Sequence, residues 1–247
     1  MNRYKLTIEY DGTPYCGMQK QKNSKQKSIE EVLENAIFLL TLEKTKIIAS
    51  GRTDAGVHAL GQVIHFDLNK KFAPGKMILG LNNFLREESI VIVDCEIMDE
   101  NFHARFNAKM RHYRYIIINR QTPLTLRKDR AWHVIKKLDL DEMKKAAKFL
   151  IGQHDFSSFR DSECQAKSAV KTIKKIVITQ TNEEIFIEIS AGSFLHHMVR
   201  NIVGTLVLAG VKKIKAAEMK MILEAKDRKK SGKNAPACGL YFLGLDY

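Results

Sequence analysis

Lys46-Ile47-Ile48-Ala49-Ser50-Gly51-Arg52-Thr53-Asp54-Ala55-Gly56-Val57-His58-Ala59-Leu60-Gly61-Gln62-Val63-Ile64-His65-Phe66 is the stretch on which the fold turns. Lys46 to Ala49 and Gln62 to Phe66 are short apolar runs with β-branched residues, and both read as strands. Between them, Gly51 and Gly56 flank one carboxylate, Asp54, with the Arg52 guanidinium two residues before it. Glycine admits positive φ and close backbone approach, so such a loop can push one side chain into a cleft. An Asp near an Arg stays ionised, and an ionised, positioned Asp serves as nucleophile or base. The same composition also suits an ordinary tight turn.

Outward from this pair of strands, the first half reads strand, helix, strand, strand, helix, strand. Arg3 to Asp11 alternates Leu6 and Ile8 against polar neighbours. Ser28-Ile29-Glu30-Glu31 is a capping-box start, and Ile29, Val32, Leu33, Ala36, Ile37 and Leu40 follow at helical spacing. Pro74 opens a second helix carrying Ile78, Leu81 and Leu85, and Ile90 to Met98 is a β-branched run. The second half repeats the theme. Arg111 to Asn119 reads as a strand, Asp139 to Ile151 as a helix, and Val170 to Thr179 with Glu184 to Ala191 as a hairpin. Phe194 to Ala209 reads as a strongly apolar helix, Lys215 to Ala225 as a shorter one, and Leu240 to Asp246 as a last strand. Two similar β-α-β-β-α-β halves predict an α+β fold of two ferredoxin-like units, a pseudo-repeat over 1–105 and 106–247. Their sheets are expected to join into one mixed, mainly antiparallel sheet with a central cleft. No low-complexity linker separates them.

Charge bounds the function. The 247 residues hold 41 Lys and Arg against 28 Asp and Glu, a net charge of +13. That excess points to a polyanionic partner, nucleic acid being the commonest. It clusters at Lys20 to Lys27, Arg105 to Arg114, Lys171 to Lys175 and Lys226 to Lys233, the last with loop composition. No apolar run approaches a membrane span, and the start has no signal-peptide core, so a cytoplasmic protein is expected. Cys16, Cys95, Cys164 and Cys238 are scattered without a CxxC pair and read as free thiols.

The helix from Ser193 is apolar nearly all round, which marks burial, yet Arg200 lies within it. A buried guanidinium needs a carboxylate or phosphate partner, with Asp54 the natural candidate; the alternative is that Arg200 snorkels to the surface beside Asn201. His196 and His197 would point to different faces of such a helix and not chelate one ion, reading as packing or phosphate-facing groups. No good metal ligand set is evident. Arg105, Lys109, Arg111, His112, Tyr113, Arg114 and Tyr115 interleave cations with aromatics, and alternation places Arg111, Tyr113 and Tyr115 on one strand face. Such a pattern suits a stacked base whose phosphates are held, although a strand Tyr is also an ordinary half-buried residue.

Together these segments resemble the tRNA pseudouridine synthase A (TruA) family. Ser50 to Ala59 looks like its active-site signature, and the resemblance continues at Tyr10 to Tyr15, Phe102 to Phe106, Arg111 to Tyr115, Ser193 to Asn201 and Ala235 to Leu240, in the family's order. Met18 departs from the family's usual Trp, and Arg86-Glu87-Glu88 replaces a Pro-containing turn. The resemblance implies isomerisation of uridine to pseudouridine in the anticodon stem-loop of tRNA, at positions 38–40, by a homodimer without cofactor or metal. In that reading Asp54 is the catalytic aspartate, attacking ribose C1′, attacking base C6 or deprotonating C2′. Tyr113 stacks on the target base, Arg200 pairs with Asp54, Arg52 helps extrude the nucleotide and Leu240 packs against the uracil. A non-catalytic RNA-binding protein and a metal-dependent phosphohydrolase are the competing readings.

Overall fold

In a computed structural model the described residues are 1–21 and 24–247, and the chain divides into two units. The first comprises Met1–Lys109 together with Tyr241–Tyr247, the second Met110–Leu240. Part of the basic run at 20–27 lies outside the described residues.

The first unit holds β1 (Asn2–Tyr10), α1 (Ile29–Thr41), β2 (Ile48–Ala49), β3 (His58–Leu68), α2 (Pro74–Phe84) and β4 (Ile90–Met98). Its sheet runs β4-β1-β3, antiparallel throughout, with β2 antiparallel beside β3. α1 starts where the capping box placed it: Ser28 Oγ accepts from Glu31 N at 3.1 Å, and Glu31 Oε2 accepts from Ser28 N at 2.8 Å. Tyr4, Leu6, Ile8, Ile64 and Phe66 are buried, and the rings of Tyr4 and Phe66 stack at 5.6 Å. In α2 it is Met77 rather than Ile78 that is fully buried, with Leu81. The last strand of the chain belongs to this unit. β10 (Leu240–Asp246) runs parallel to β3, with Tyr241 opposite His58 and Phe242 opposite Ala59. Leu245 and Tyr247 then pack on Val63, Phe102 and Ala104.

The second unit holds β5 (Met110–Asn119), β6 (Trp132–Val134), α3 (Leu140–Lys148), β7 (Gly152–Asp155), β8 (Val170–Thr181), β9 (Glu184–Ala191), α4 (Met198–Gly210) and α5 (Glu218–Glu224). Its sheet runs β5-β9-β8-β7, antiparallel, with β6 parallel beside β5. Each unit is therefore a helix-covered, mixed and mainly antiparallel sheet, as the α+β reading required. Ile185, Ile187 and Ile189 of β9 are buried opposite Ile117, Tyr115 and Tyr113 of β5. β6 and β7 were not expected: the first is three residues long, and Gly152-Gln153-His154-Asp155 has no apolar alternation.

The structure corrects two helices. The expected helix from Phe194 begins only at Met198, because Ser193–His197 is irregular and His197 adopts a left-handed φ of 60°. Leu195 is buried from within this loop, so its apolar character is satisfied without helix. The helix expected over 215–225 is confined to Glu218–Glu224. Among the described residues no disulfide joins Cys16, Cys95, Cys164 or Cys238, and no described helix is long and apolar enough to cross a membrane.

Candidate active site

Asp54 sits immediately before β3, on a loop gripped from both sides within the first unit. Met18 N donates to Thr53 O at 3.0 Å, Val57 N donates to Asp54 O at 3.2 Å, and Gly17 forms a β-bridge with Asp54. Residues 16–18 are held in turn by the start of α1, through Ile29 N to Gly17 O at 3.1 Å and Glu30 N to Met18 O at 3.0 Å. Gly17 has φ +108°, and a Cβ there would lie 2.5 Å from Thr53 O, so only glycine lets the segment approach this closely. Met18, the departure from the family's Trp, is a buried part of this clamp. Thr53 is buried, Asp54 half-buried and Arg52 exposed, so the loop offers its carboxylate while anchoring the residue before it. Tyr10 OH and Thr53 Oγ1 share a buried 2.7 Å hydrogen bond. Burial pushes the Tyr10 phenol up to about 12, and the charge of Asp54 adds to that rise. The other altered turn also has a role: Glu88 Oε2 accepts from Tyr15 OH at 3.0 Å, and burial pushes that phenol up.

Among the described residues of α4, all but Arg200 and Leu208 are buried. Arg200 is half-buried, and its Nε donates to Ala235 O at 2.7 Å. The stretch before β10 is pressed onto this helix: a Cβ at Gly204 would fall 1.8 Å from Lys233 O, and Gly232 N donates to Thr205 Oγ1 at 2.9 Å. Leu240, at the head of β10, is buried. The basic run at 226–233 is therefore less loose than its composition implied. Arg228 turns inward, giving Nη1 to Ser231 Oγ and Gly232 O at 2.9 Å each and Nη2 to Asn201 Oδ1 at 2.8 Å, while Lys229, Lys230 and Lys233 stay exposed.

On β5 the alternation holds. Tyr113 pairs opposite Ile189 and Tyr115 opposite Ile187, while His112 and Arg114 lie opposite Ser190 and Glu188. Tyr115 is core: its OH donates to Pro236 O at 2.7 Å, and burial raises its pKa. Arg114 and Glu188 form an ion pair at 2.6 Å, and Arg111 Nη1 donates to Gly192 O at 2.5 Å. Tyr113 is half-buried, with Phe194 edge-on to its ring at 5.1 Å.

His196 and His197 precede α4 rather than lying in it, which overturns the expectation that they point to different faces of that helix. Their rings stack at 3.8 Å, and both turn to Asp161, His197 Nδ1 at 2.7 Å from Oδ2 and His196 Nδ1 at 4.0 Å from Oδ1. The Glu163 N–H, and then His197, hold the Asp161 carboxyl below its ordinary range. Asp161 went unnoticed in the sequence because its partner lies 36 residues away. The fully buried Asn201, which gives Nδ2 to Phe159 O at 2.9 Å, was missed for the same reason.

The family description "tRNA pseudouridine synthase" matches the chain in two stretches, residues 6–107 and 146–247. A tRNA pseudouridine synthase A of Ehrlichia chaffeensis (strain ATCC CRL-10679 / Arkansas) is 49% identical over 245 residues, covering 99% of this chain and 100% of that protein. The tRNA pseudouridine synthase A of Orientia tsutsugamushi (strain Ikeda) is 45% identical over 285 residues, covering 100% of both. With a glycine-clamped aspartate at the head of a central strand, and both halves matching the family, the chain belongs to the tRNA pseudouridine synthase family.

Proposed function

We propose that this chain isomerises uridine to pseudouridine in tRNA, acting in the cytoplasm on the anticodon stem-loop at positions 38–40 as a homodimer. The observation that carries the reading is the Asp54 loop: a half-buried carboxylate following a buried residue clamped by Tyr10 and Met18. The reaction breaks N1–C1′, turns the uracil and joins C5 to C1′; N1 gains a proton and C5 loses one. It is redox-neutral and balances without a hydride carrier or metal. Asp54 is the group acting on the nucleoside, by attack at C1′ or C6 or by taking a C2′ proton. Tyr113 stacks on the uracil, Arg52 from its exposed position helps displace the nucleotide, and Leu240 packs on the base. Arg200, by the family's pattern, is the cation that keeps Asp54 ionised. Extruding the base costs a few kcal/mol, which phosphate contacts and stacking offset.

Tritium release from tRNA labelled at uracil C5 tests this. The native chain is expected to release label, indifferent to a chelator, and Asp54→Asn essentially none while still binding tRNA. No release by the native chain across a full set of unmodified isoacceptors would leave only an RNA-binding protein. Release abolished by the chelator would favour metal-dependent chemistry.

A further inference from the structure

Gln62 is an amide with no exposed surface, set in the middle of β3. Its Oε1 accepts from Ser50 Oγ at 2.6 Å and from Val63 N at 3.1 Å, and its Nε2 donates to Gly51 O at 3.1 Å. Tyr10, on the neighbouring β1, bonds to Thr53 Oγ1 at 2.7 Å and to the Gln62 side chain as well. Ser50 and Thr53 are themselves buried, and Ser50 N donates to Val63 O at 2.8 Å. Three of the four residues leading to Asp54 (Ser50, Gly51 and Thr53) are thus fixed by polar groups rooted in two adjacent strands; the fourth, Arg52, points to solvent.

Ile64 and Phe66, two and four residues along the same strand, fill the core with apolar side chains. A glutamine among them must be desolvated, which folding favours only where its amide is satisfied. A fully satisfied buried network does what apolar packing does poorly: it admits one geometry. We propose that Gln62 and Tyr10 are positioning residues, holding the backbone of residues 50–53 so that the Asp54 carboxylate stands at one place against the reacting nucleoside. The inference rests on the reading of Asp54 as the catalytic group.

Four variants of the full chain test it: Tyr10→Phe, Gln62→Glu, their combination, and Asp54→Asn. Steady-state tritium release gives kcat and KM, filter binding gives the tRNA Kd, and thermal melting reports folding. Tyr10→Phe and Gln62→Glu are each expected to lower kcat by about 10- to 100-fold, because a misplacement near 1 Å costs on that order. KM and tRNA Kd are expected to stay within about twofold, and the double variant to lose less than the product of the singles, as for one shared network. A native kcat in either folded single variant overturns the inference, as does an activity loss that follows only weaker tRNA binding or a lower melting temperature. Tyr10→Phe keeps its ring in the core, so it decides the matter even where Gln62→Glu does not fold. Should Asp54→Asn keep its activity, the reading of Asp54 itself falls. With Asp54→Asn inactive and both positioning variants native, that reading stands and only the positioning inference is lost.

Discussion

Asp54 and Gln62 lie eight residues apart in sequence, and only one of them announced itself. A carboxylate between glycines is unusual enough in composition to suggest a site, whereas an amide in an apolar strand carries no sign of its partners. Burial and the hydrogen bonds to Ser50 and Gly51 exist only once β2 and β3 are paired. His65, on the same strand, was legible as a strand residue and nothing more. It is almost wholly buried, its Nδ1 accepts from Ala104 N at 3.2 Å, and the His103 ring lies edge-on at 4.9 Å. Burial first, then the charges of His103 and Arg3, push its pKa down to about 4, with Asp67 opposing them. In the unfolded chain an imidazole titrates at about 6.5. Between these values the unfolded state binds the extra proton, so His65 contributes stability above pH 6.5 that is lost as the pH falls toward 4. His65→Gln, which keeps an acceptor for Ala104 N, is expected to flatten this limb of a melting-temperature profile between pH 6.5 and 4. An unchanged limb would mean that other groups set the acid sensitivity.

Among the elements, those with strong periodicity and a start signal were read to within a residue or two. α1 with its capping box, β4, β5 and β10 are the examples. The first turn of α4 was not, because hydrophobicity alone cannot distinguish a buried helix from a buried loop leading into one. What begins α4 is a tertiary contact. Asp161 accepts from His197 Nδ1 at 2.7 Å and from Glu163 N at 3.0 Å, and Asp161 N donates to His196 O at 3.3 Å. His197 is thereby held in the left-handed conformation that ends the loop, one that costs a non-glycine residue roughly 1–2 kcal/mol. Asp161→Ala removes the acceptor and is expected to destabilise the protein by about 1–3 kcal/mol, the range for leaving a buried or charged hydrogen-bond partner unmatched. The loss should be local. Hydrogen exchange would show earlier opening of the amides of residues 198–202, the turn carrying Arg200, with β1 and β3 unaffected. Uniform loosening of every element would show that Asp161 supports the fold in general and not the helix start.

Over the whole molecule, the pseudo-repeat was legible because each half repeats the same order of periodicities, and the family description matches within both halves. What periodicity cannot convey is which strand a given strand will neighbour. Leu240–Asp246 was read as a strand with the correct limits, yet its partner is β3, whose first residue precedes it by more than half the chain. The chain end is built into the first unit by several independent contacts. Phe242 has no exposed surface, Lys109 N donates to Asp246 O at 2.8 Å, Tyr247 OH donates to Ala104 O at 3.1 Å, and the His58 and Tyr241 rings stack at 4.7 Å. His58 begins β3, directly after the Asp54 loop, so the same contacts brace the strand on which that loop stands. Burying one large aromatic side chain contributes about 1.5–3 kcal/mol, and removing β10 forfeits Phe242 together with the packing of Leu245 and Tyr247 on Val63 and Phe102. That is a large fraction of the stability of an ordinary domain, about 5–15 kcal/mol. A chain ending at Leu240 is therefore expected to lose cooperative folding in residues 1–109 although none of them has been changed. Limited proteolysis should cut within 58–68 in the shortened chain and spare it in the full one, and tritium release should disappear. Were residues 58–68 equally protected in both chains, β10 would be an ornament on a sheet that folds without it.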